Sequence, residues 1–288
     1  MSSAAIKFGG YQRPTSILNQ AAGLFGETLQ ARLGDGIVDF LLDPDVAEMG
    51  HHTKQLMPLI DDGTYDIGYI NTSYFANSIP ELGVLEIPFA IKSRERIRAA
   101  LDGILGDRLT RAIESAGAYK VLGYWDNGFR YFSNSVRPIR TPEDCQGIRM
   151  RTHSSEVYAE TFSLLGFEPV AVHISGLLDA IDSGAIDAQE NPLTNLYNFG
   201  IHKHHRYITL SGHFWGACAF LCNAERYSSW STDVQEAVIA AAAVATTAQW
   251  EMAATEDERV RAILDPNETE IIELAAEEHA AFENATRP

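Results

Sequence analysis

The sequence predicts an α/β fold built on mixed, mostly parallel sheets flanked by helices, within a chain of 288 residues. Three observations predict it: strand-length apolar runs alternate with segments of helical spacing, glycines stand at many of the junctions, and one helix-glycine-strand unit occurs twice. The two copies are Ile60-Asp61-Asp62-Gly63-Thr64-Tyr65-Asp66-Ile67 and Ile181-Asp182-Ser183-Gly184-Ala185-Ile186-Asp187-Ala188. Both strands run out into polar residues, Asn71 after the first and Glu190-Asn191-Pro192 after the second. Ligands of open parallel sheets collect outside the carboxyl ends of the strands, so the repetition suggests two lobes facing one cleft.

The elements follow in order. Ile6 to Phe8 opens as a short strand, and Ser16 to Arg32 carries Ile17, Ala21, Leu24, Phe25, Thr28 and Leu29 at helical spacing before Gly34 and Gly36 end it. Ile37 to Leu42 reads as a buried strand, a helix ends at Gly63, and Tyr65 to Ile70 is the next strand. Ser93 caps a helix containing Ile97, Leu101, Ile104 and Leu105. Thr141-Pro142-Glu143-Asp144 is a capping-box turn before the strand Ile148 to Thr152. Ser155 to Leu165 is a helix stopped by Gly166, Pro169 to Val172 a strand, Ser175 to Ser183 a helix stopped by Gly184, and Ile186 to Gln189 a strand. Ala217 to Leu221 is a further strand. A capping box at Thr232-Asp233-Val234-Gln235 starts a helix with no glycine or proline until Pro266, about 48 Å long and long enough to bridge two lobes. Glu268 to Glu283 reads as an acidic terminal helix.

Composition narrows the partners. With 22 basic and 39 acidic residues the formal charge is −17, which repels nucleic acid and anionic lipid. An anionic ligand then needs its positive charge concentrated on a few arginines. Cys145, Cys218 and Cys222 are odd in number and lack CxxC spacing, and four strand steps put the last two about 13 Å apart, too far for a bridge. No segment reads as a membrane span, and Met1-Ser2-Ser3-Ala4-Ala5 has no basic n-region or apolar h-region, so the chain is either cytosolic or exported with its signal peptide already removed.

No GxSxG, Walker, GxGxxG or HExxH pattern is present. Arginine and aromatic groups concentrate instead between residues 124 and 153, in Tyr124-Trp125-Asp126-Asn127-Gly128-Phe129-Arg130-Tyr131-Phe132 and Gly147-Ile148-Arg149-Met150-Arg151-Thr152-His153. Strand alternation puts Arg149, Arg151 and His153 on one face, where a guanidinium fork can receive a carboxylate; an exposed edge strand with solvated arginines fits the same pattern. The run His202-Lys203-His204-His205 lacks helical metal-ligand spacing and reads as a solvated loop.

Gly128-Phe129-Arg130, Thr141 to Arg151, Asp187 to Pro192, Tyr65-Asp66-Ile67-Gly68 and Pro80 to Phe89, in this order, resemble the motifs of the DctP-like family, the solute-binding subunits of tripartite ATP-independent periplasmic (TRAP) transporters. The resemblance covers nearly the whole chain. It implies a two-lobed periplasmic solute-binding fold with lobe 1 from 1–124 and 213–250, lobe 2 from 125–212 and 251–288, and a helix about 232–264 across both. By the same resemblance Arg151 matches the carboxylate-clamping arginine, Arg130 a second binding arginine, and Asn191 the asparagine that helps orient that clamp or the carboxylate. Asn71, Tyr74, Tyr11, His173 and Trp215 match positions that line the cavity and set selectivity. Two departures stand out: Ser175 is followed by Gly176 where the family often has Ser-Glu, and His173 stands where many members have a small or apolar residue.

The expected function is thus capture of a small organic acid by hinge closure and delivery to TRAP membrane subunits, in the periplasm, by a monomer without enzymatic activity, cofactor, metal or nucleic acid. A cation assisting near Gln189 and Glu190 is the variant some relatives suggest. The rivals are a cytosolic enzyme on a small carboxylate, with His173 or Asp126 as base, and the binding subunit of an ATP-driven importer.

Overall fold

The computed structural model describes residues 4–34, 36–153 and 155–287. Strand β1 (Ala4–Gly9) leads to α1 (Ile17–Leu33), where the Ser16 hydroxyl accepts the Asn19 amide and Gly34 ends the helix at φ 84°. β2 (Val38–Asp43), α2 (Leu56–Asp61) and β3 (Ile67–Asn71) follow. Next come α3 (Arg94–Leu101), α4 (Ile104–Ser115) and the 16-residue β4 (Tyr119–Asn134). The middle of the chain alternates: β5 (Arg149–Thr152), α5 (Glu156–Leu164), β6 (Glu168–Ala171), α6 (Leu177–Asp182), β7 (Ala188–Asn191) and α7 (Leu193–Asn198). The end holds β8 (Tyr207–Asn223), α8 (Ala224–Ser229), α9 (Thr232–Ile263), β9 (Glu270–Ile272) and α10 (Ala276–Ala285).

The chain divides into two compact units. Unit 1 is Met1–Leu82, Glu95–Asn127 and Ala217–Ala254; unit 2 is Gly83–Arg94, Gly128–Gly216 and Thr255–Pro288. β4, β8 and α9 each contribute residues to both. The segment Gly83–Arg94, which the sequence reading kept with residues 1–124, groups with unit 2 because Phe89 joins its apolar core and donates its amide to the His213 carbonyl at 2.8 Å.

In unit 1 the strand order is β2-β1-β3-β8, with β1 parallel to β2 and β3, and β8 antiparallel to β3. Its core sets Phe8, Phe25, Tyr69, Trp125 and Phe220 against Val238, Ala241, Ala242 and Ala245 of α9. In unit 2, β7 lies antiparallel to β4 and parallel to β5, which is parallel to β6. One of its cores is aromatic, around Phe132, Phe162, Phe167 and Phe282, and a second is aliphatic, around Leu193, Leu196, Ile208 and Val260.

Several sequence expectations are corrected. β2 is a half-exposed edge rather than a buried strand, with Leu41 44% exposed, because only β1 flanks it and only one face meets α1. The helix read through Ile97 to Leu105 is two helices broken at Asp102-Gly103; a Cβ at Gly106 would stand 1.8 Å from the Leu101 carbonyl oxygen, so only glycine permits the close turn. Ser231, not Thr232, caps α9, accepting the Val234 amide. Residues 270–272 are not helical: they form β9, pairing in parallel with Tyr207–Thr209, since Ile272 can be buried there (1% exposed) and acidic helix faces cannot bury it. The reading that no segment is long enough to cross a membrane also changes, because α9 passes by length and composition with a mean hydropathy of 1.2; its alanine stripe is spent on the unit 1 core. The cysteines form no disulfide, and burial pushes the Cys145 and Cys222 thiols well above their usual range.

Candidate functional site

In unit 2 the carboxyl ends of the parallel strands β5, β6 and β7 share one edge, and Arg151, His173 and Asn191 sit at or just beyond them. The antiparallel register pairs Tyr131 with Asn191, which brings Arg130 of β4 to the same edge. Arg151 is 3% exposed, and its Nε donates to the Val172 carbonyl at 2.8 Å. That bond fixes the guanidinium plane and keeps a permanent charge inside the protein. The sequence alternative of an edge strand with solvated arginines is thereby set aside: β5 is flanked on both sides, and Arg149 forks onto Asp187 at 2.8 and 2.6 Å.

Arg130 is committed to a protein carboxylate. Its Nε donates to Glu190 Oε2 at 2.5 Å, and its terminal nitrogen donates to Glu190 Oε1 at 2.7 Å and to Asn191 Oδ1 at 3.3 Å. Arg130 and Glu190 are buried, and His213 Nε2 stands 3.4 Å from Glu190 Oε2 without hydrogen-bond alignment. Burial alone would push the Glu190 carboxyl up; the Arg130 charge and the His213 ring overcome it and hold the group at about 2. His213 itself is held neutral by burial, which lowers its pKa against the pull of Glu190, and it stacks on Phe132 with ring centroids 4.2 Å apart. A chain of amides completes the edge: Asn195 donates to Asn191, Asn191 to Gln189 at 2.6 Å, and Gln189 to Ser133 at 2.6 Å. Among the described residues no group of three or more His, Cys, Asp or Glu is placed to hold a metal ion.

In unit 1, β1 and β3 are parallel; Asn71 is the last residue of β3, and Tyr11 and Tyr74 lie just beyond the carboxyl ends of β1 and β3. Asn71 is 5% exposed and caps the next turn by accepting the Ser73 amide at 2.9 Å. The Tyr11 ring lies edge-on to Tyr74 at 6.4 Å and tilted on Tyr69 at 5.3 Å, with its hydroxyl 3.5 Å from Cys218 Sγ. Burial, then the Cys218 thiol, pushes the Tyr11 phenol well above its usual range, so it stays a neutral donor and acceptor. Asn19 holds this loop, donating to the carbonyls of Gln12, Arg13 and Pro44 and accepting from Tyr69.

The model of the DctP family, bacterial extracellular solute-binding protein family 7, matches residues 8–288. The chain belongs to that family. It is 26% identical to the 2,3-diketo-L-gulonate-binding periplasmic protein YiaO of Escherichia coli (strain K12), over 90% of this chain and 78% of that protein. It is 27% identical to the C4-dicarboxylate-binding periplasmic protein DctP of Rhodobacter capsulatus, over 98% of this chain and 84% of that one. The crystal structure of a TRAP periplasmic solute-binding protein from Sulfurospirillum deleyianum with bound succinate superposes with a TM-score of 0.92 at 25% identity, covering 99% of this chain and 93% of that one. Both the fold class and the family read from the sequence are borne out. Members of the DctP family are extracellular solute-binding proteins, not enzymes.

The remaining site residues of this solute-binding protein fall as follows. His173 caps a 3-10 turn, its Nδ1 meeting the Ser175 hydroxyl at 2.8 Å, and the Trp215 indole of β8 is buried. The histidine run is a solvated loop only in part: Lys203 and His204 are exposed, the latter pairing with Asp182 at 2.9 Å, whereas His202 stacks on Tyr197 at 4.9 Å and His205 is fully buried against Ser133 at 2.9 Å. Sequence reasoning passed over Glu86, a buried acid beside Ser155. Its signal was present, an acid inside the apolar run Val84-Leu85-Glu86-Ile87-Pro88-Phe89. It also gave Arg130 to the ligand without seeing that Glu190, two strand positions after the quoted Ala188, claims its fork.

Proposed function

We propose that this protein captures a small organic acid anion and delivers it to the membrane subunits of a TRAP transporter, as a periplasmic monomer that needs no cofactor and does no chemistry on its cargo. The observation that carries the reading is the buried guanidinium of Arg151 at the carboxyl edge of unit 2's parallel strands, in a chain whose overall charge is −17. A permanent positive charge held away from water is a receptor for a carboxylate, since charge-assisted hydrogen bonds are worth about 1.5–3 kcal/mol each. In this reading Arg151 grips the carboxylate, while Arg130, fixed by Glu190, adds field and orientation through Asn191. Asn71, Tyr74, Tyr11, His173 and Trp215 select the rest of the molecule. The relatives support the ligand class: YiaO binds a keto sugar acid, DctP of Rhodobacter capsulatus a C4-dicarboxylate, and the Sulfurospirillum protein succinate. Ligand-dependent closure is the conformational part of the proposal, and a fall in radius of gyration on adding the acid checks it.

A thermal-shift screen over sugar acids, hydroxy acids and dicarboxylates tests the reading. The best acid should raise the melting temperature and be recovered unchanged by NMR after incubation; turnover would favour an enzyme. Arg151→Ala should weaken binding at least about 100-fold, the loss of a bidentate charge-assisted pair. Retained affinity in that variant overturns the assignment.

A further inference from the structure

Ser133 of β4 and Gln189 of β7 stand opposite each other in the antiparallel pair, and Asn191 lies two positions further along β7, so the three side chains share one face of the sheet. Their hydrogen bonds run on in both directions. Ser133 Oγ meets His205 Nδ1 at 2.9 Å, and Asn191 Oδ1 accepts from Asn195 and from the Arg130 terminal nitrogen, each at 3.3 Å. Every member of the chain, from Arg130 to His205, is buried. His205 is neutral: burial and then the His204 charge hold its pKa at about 4, outweighing the pull of Asp187 and of the Ser133 backbone. Its Nε2 is buried without a hydrogen-bond partner, so the tautomer is set from the Nδ1 side, by Ser133.

Arg130 fixes the direction of the whole chain. A guanidinium only donates, so the Asn191 atom it meets is the oxygen, and the Asn191 nitrogen is left to face Gln189. That nitrogen donates at 2.6 Å, so Gln189 turns its oxygen to Asn191 and its nitrogen to Ser133, again at 2.6 Å. The Ser133 oxygen is thereby an acceptor, and among the described residues its single proton has only His205 Nδ1 to go to. His205 must then carry its own proton on Nε2. At the other end, Asn191 has committed its oxygen to two donors and one N–H to Gln189, which leaves one N–H to offer. We propose that Gln189, Ser133 and His205 are positioning residues of the anion site: they form a relay, polarised by Arg130, that locks the Asn191 amide so that it gives a ligand a donor and never an acceptor. The ligand class this specifies brings an accepting oxygen to Asn191, a carboxylate or keto oxygen, and not an ammonium or an amide N–H. The inference rests on the carboxylate-capture reading above.

The polarity is tested without ligand, by long-range proton–nitrogen correlation NMR of the whole chain carrying isotope-labelled histidine, with the His205 signals assigned by their loss in His205→Gln. At neutral pH the ring should be uncharged with its proton on Nε2, and Nδ1 should show the upfield shift of a nitrogen that accepts a hydrogen bond. Ser133→Ala should move Nδ1 downfield, and Ser133→Thr, which keeps the hydroxyl, should not. The link to the ligand is tested by calorimetric titration of the same variants with whichever of succinate, D-gluconate and D-galactonate gives the largest thermal shift. Ser133→Ala should bind that acid about 3- to 10-fold more weakly, the loss of about one hydrogen bond's worth of ordering, with Ser133→Thr within about twofold of the unaltered chain. The tautomer of the unaltered chain tests the polarity even if a variant folds poorly. A His205 proton on Nδ1, or full affinity in a folded Ser133→Ala, overturns this inference and leaves the Arg151 reading standing. If none of the three acids binds, or binding survives Arg151→Ala, the carboxylate reading fails and takes the positioning role with it.

Discussion

Replacing Glu190 by glutamine perturbs a fully buried carboxylate paired with Arg130 in unit 2. The carboxylate accepts two guanidinium bonds at 2.5 and 2.7 Å in a position with no solvent exposure. Its pKa of about 2, against an ordinary 4.5, is a gap of roughly two and a half units, or about 3 kcal/mol of folding free energy. Because the folded value is depressed, this stability is present in full above about pH 4.5 and is lost as pH falls towards 2. Glu190→Gln removes it at every pH and leaves the Arg130 charge buried beside a neutral amide, a change that costs about 3–5 kcal/mol at pH 7. For a chain of 288 residues unfolding cooperatively, that corresponds to a melting temperature lower by about 5 °C or somewhat more. Urea denaturation followed by circular dichroism at pH 7, 5 and 3 measures both quantities. A loss under about 1 kcal/mol at pH 7, or a variant that keeps the parent's decline between pH 4.5 and 2, refutes the argument that this pair is a coupled buried ion pair.

Other outcomes follow from single features. His205 is held at about 4 by burial and then by the charge of His204, with Asp187 and Ser133 opposing; the unfolded chain takes a proton near 6.5 and the folded one refuses it, so stability should fall by about 3 kcal/mol from pH 6.5 to 4. His205→Gln should flatten that segment of a stability-versus-pH curve. Gly128 sits at φ 99° with Pro192 Cβ 3.0 Å from where its own Cβ would stand, so Gly128→Ala should destabilise by about 1–3 kcal/mol in chemical denaturation. Phe282 is fully buried among Phe132 and its neighbours, and Phe282→Ala should cost about 3–5 kcal/mol by the same measurement. Ser16→Ala removes the cap of α1 and should cost about 1 kcal/mol, with Ser16→Asp restoring it.

What the sequence revealed were the features whose signals are local. Ser16, Gly34, the Thr141 to Asp144 turn and the glycine-free run after Thr232 announce element ends through caps and breakers, and the structure has those ends within a residue or two. The errors concern what lies beside an element. Ile37 to Leu42 is apolar enough for a central strand, but its place at the sheet's edge depends on strand order, which periodicity does not encode. Residues 270–272 are strand because Tyr207–Thr209 offers an unpaired ladder, a partner more than 60 positions away. The same limit governs the site. Alternation put Arg149 and Arg151 on one face, yet only tertiary neighbours separate them, Asp187 taking the first and burial against Val172 fixing the second. Glu86 escaped notice and His205 was read as solvated because a charged or polar residue in sequence looks exposed until the packing around it is known.

The three native thiols offer a practical opening. Cys145, Cys218 and Cys222 are buried, and the first and last are held in the protonated form that reacts slowly with maleimides. A cysteine introduced on an exposed helix position, such as one replacing Ser115 or Arg261, should therefore accept a fluorophore or spin label selectively without first stripping the chain of its own sulfur. One such handle in each unit gives a ruler for watching cargo arrive, one molecule at a time.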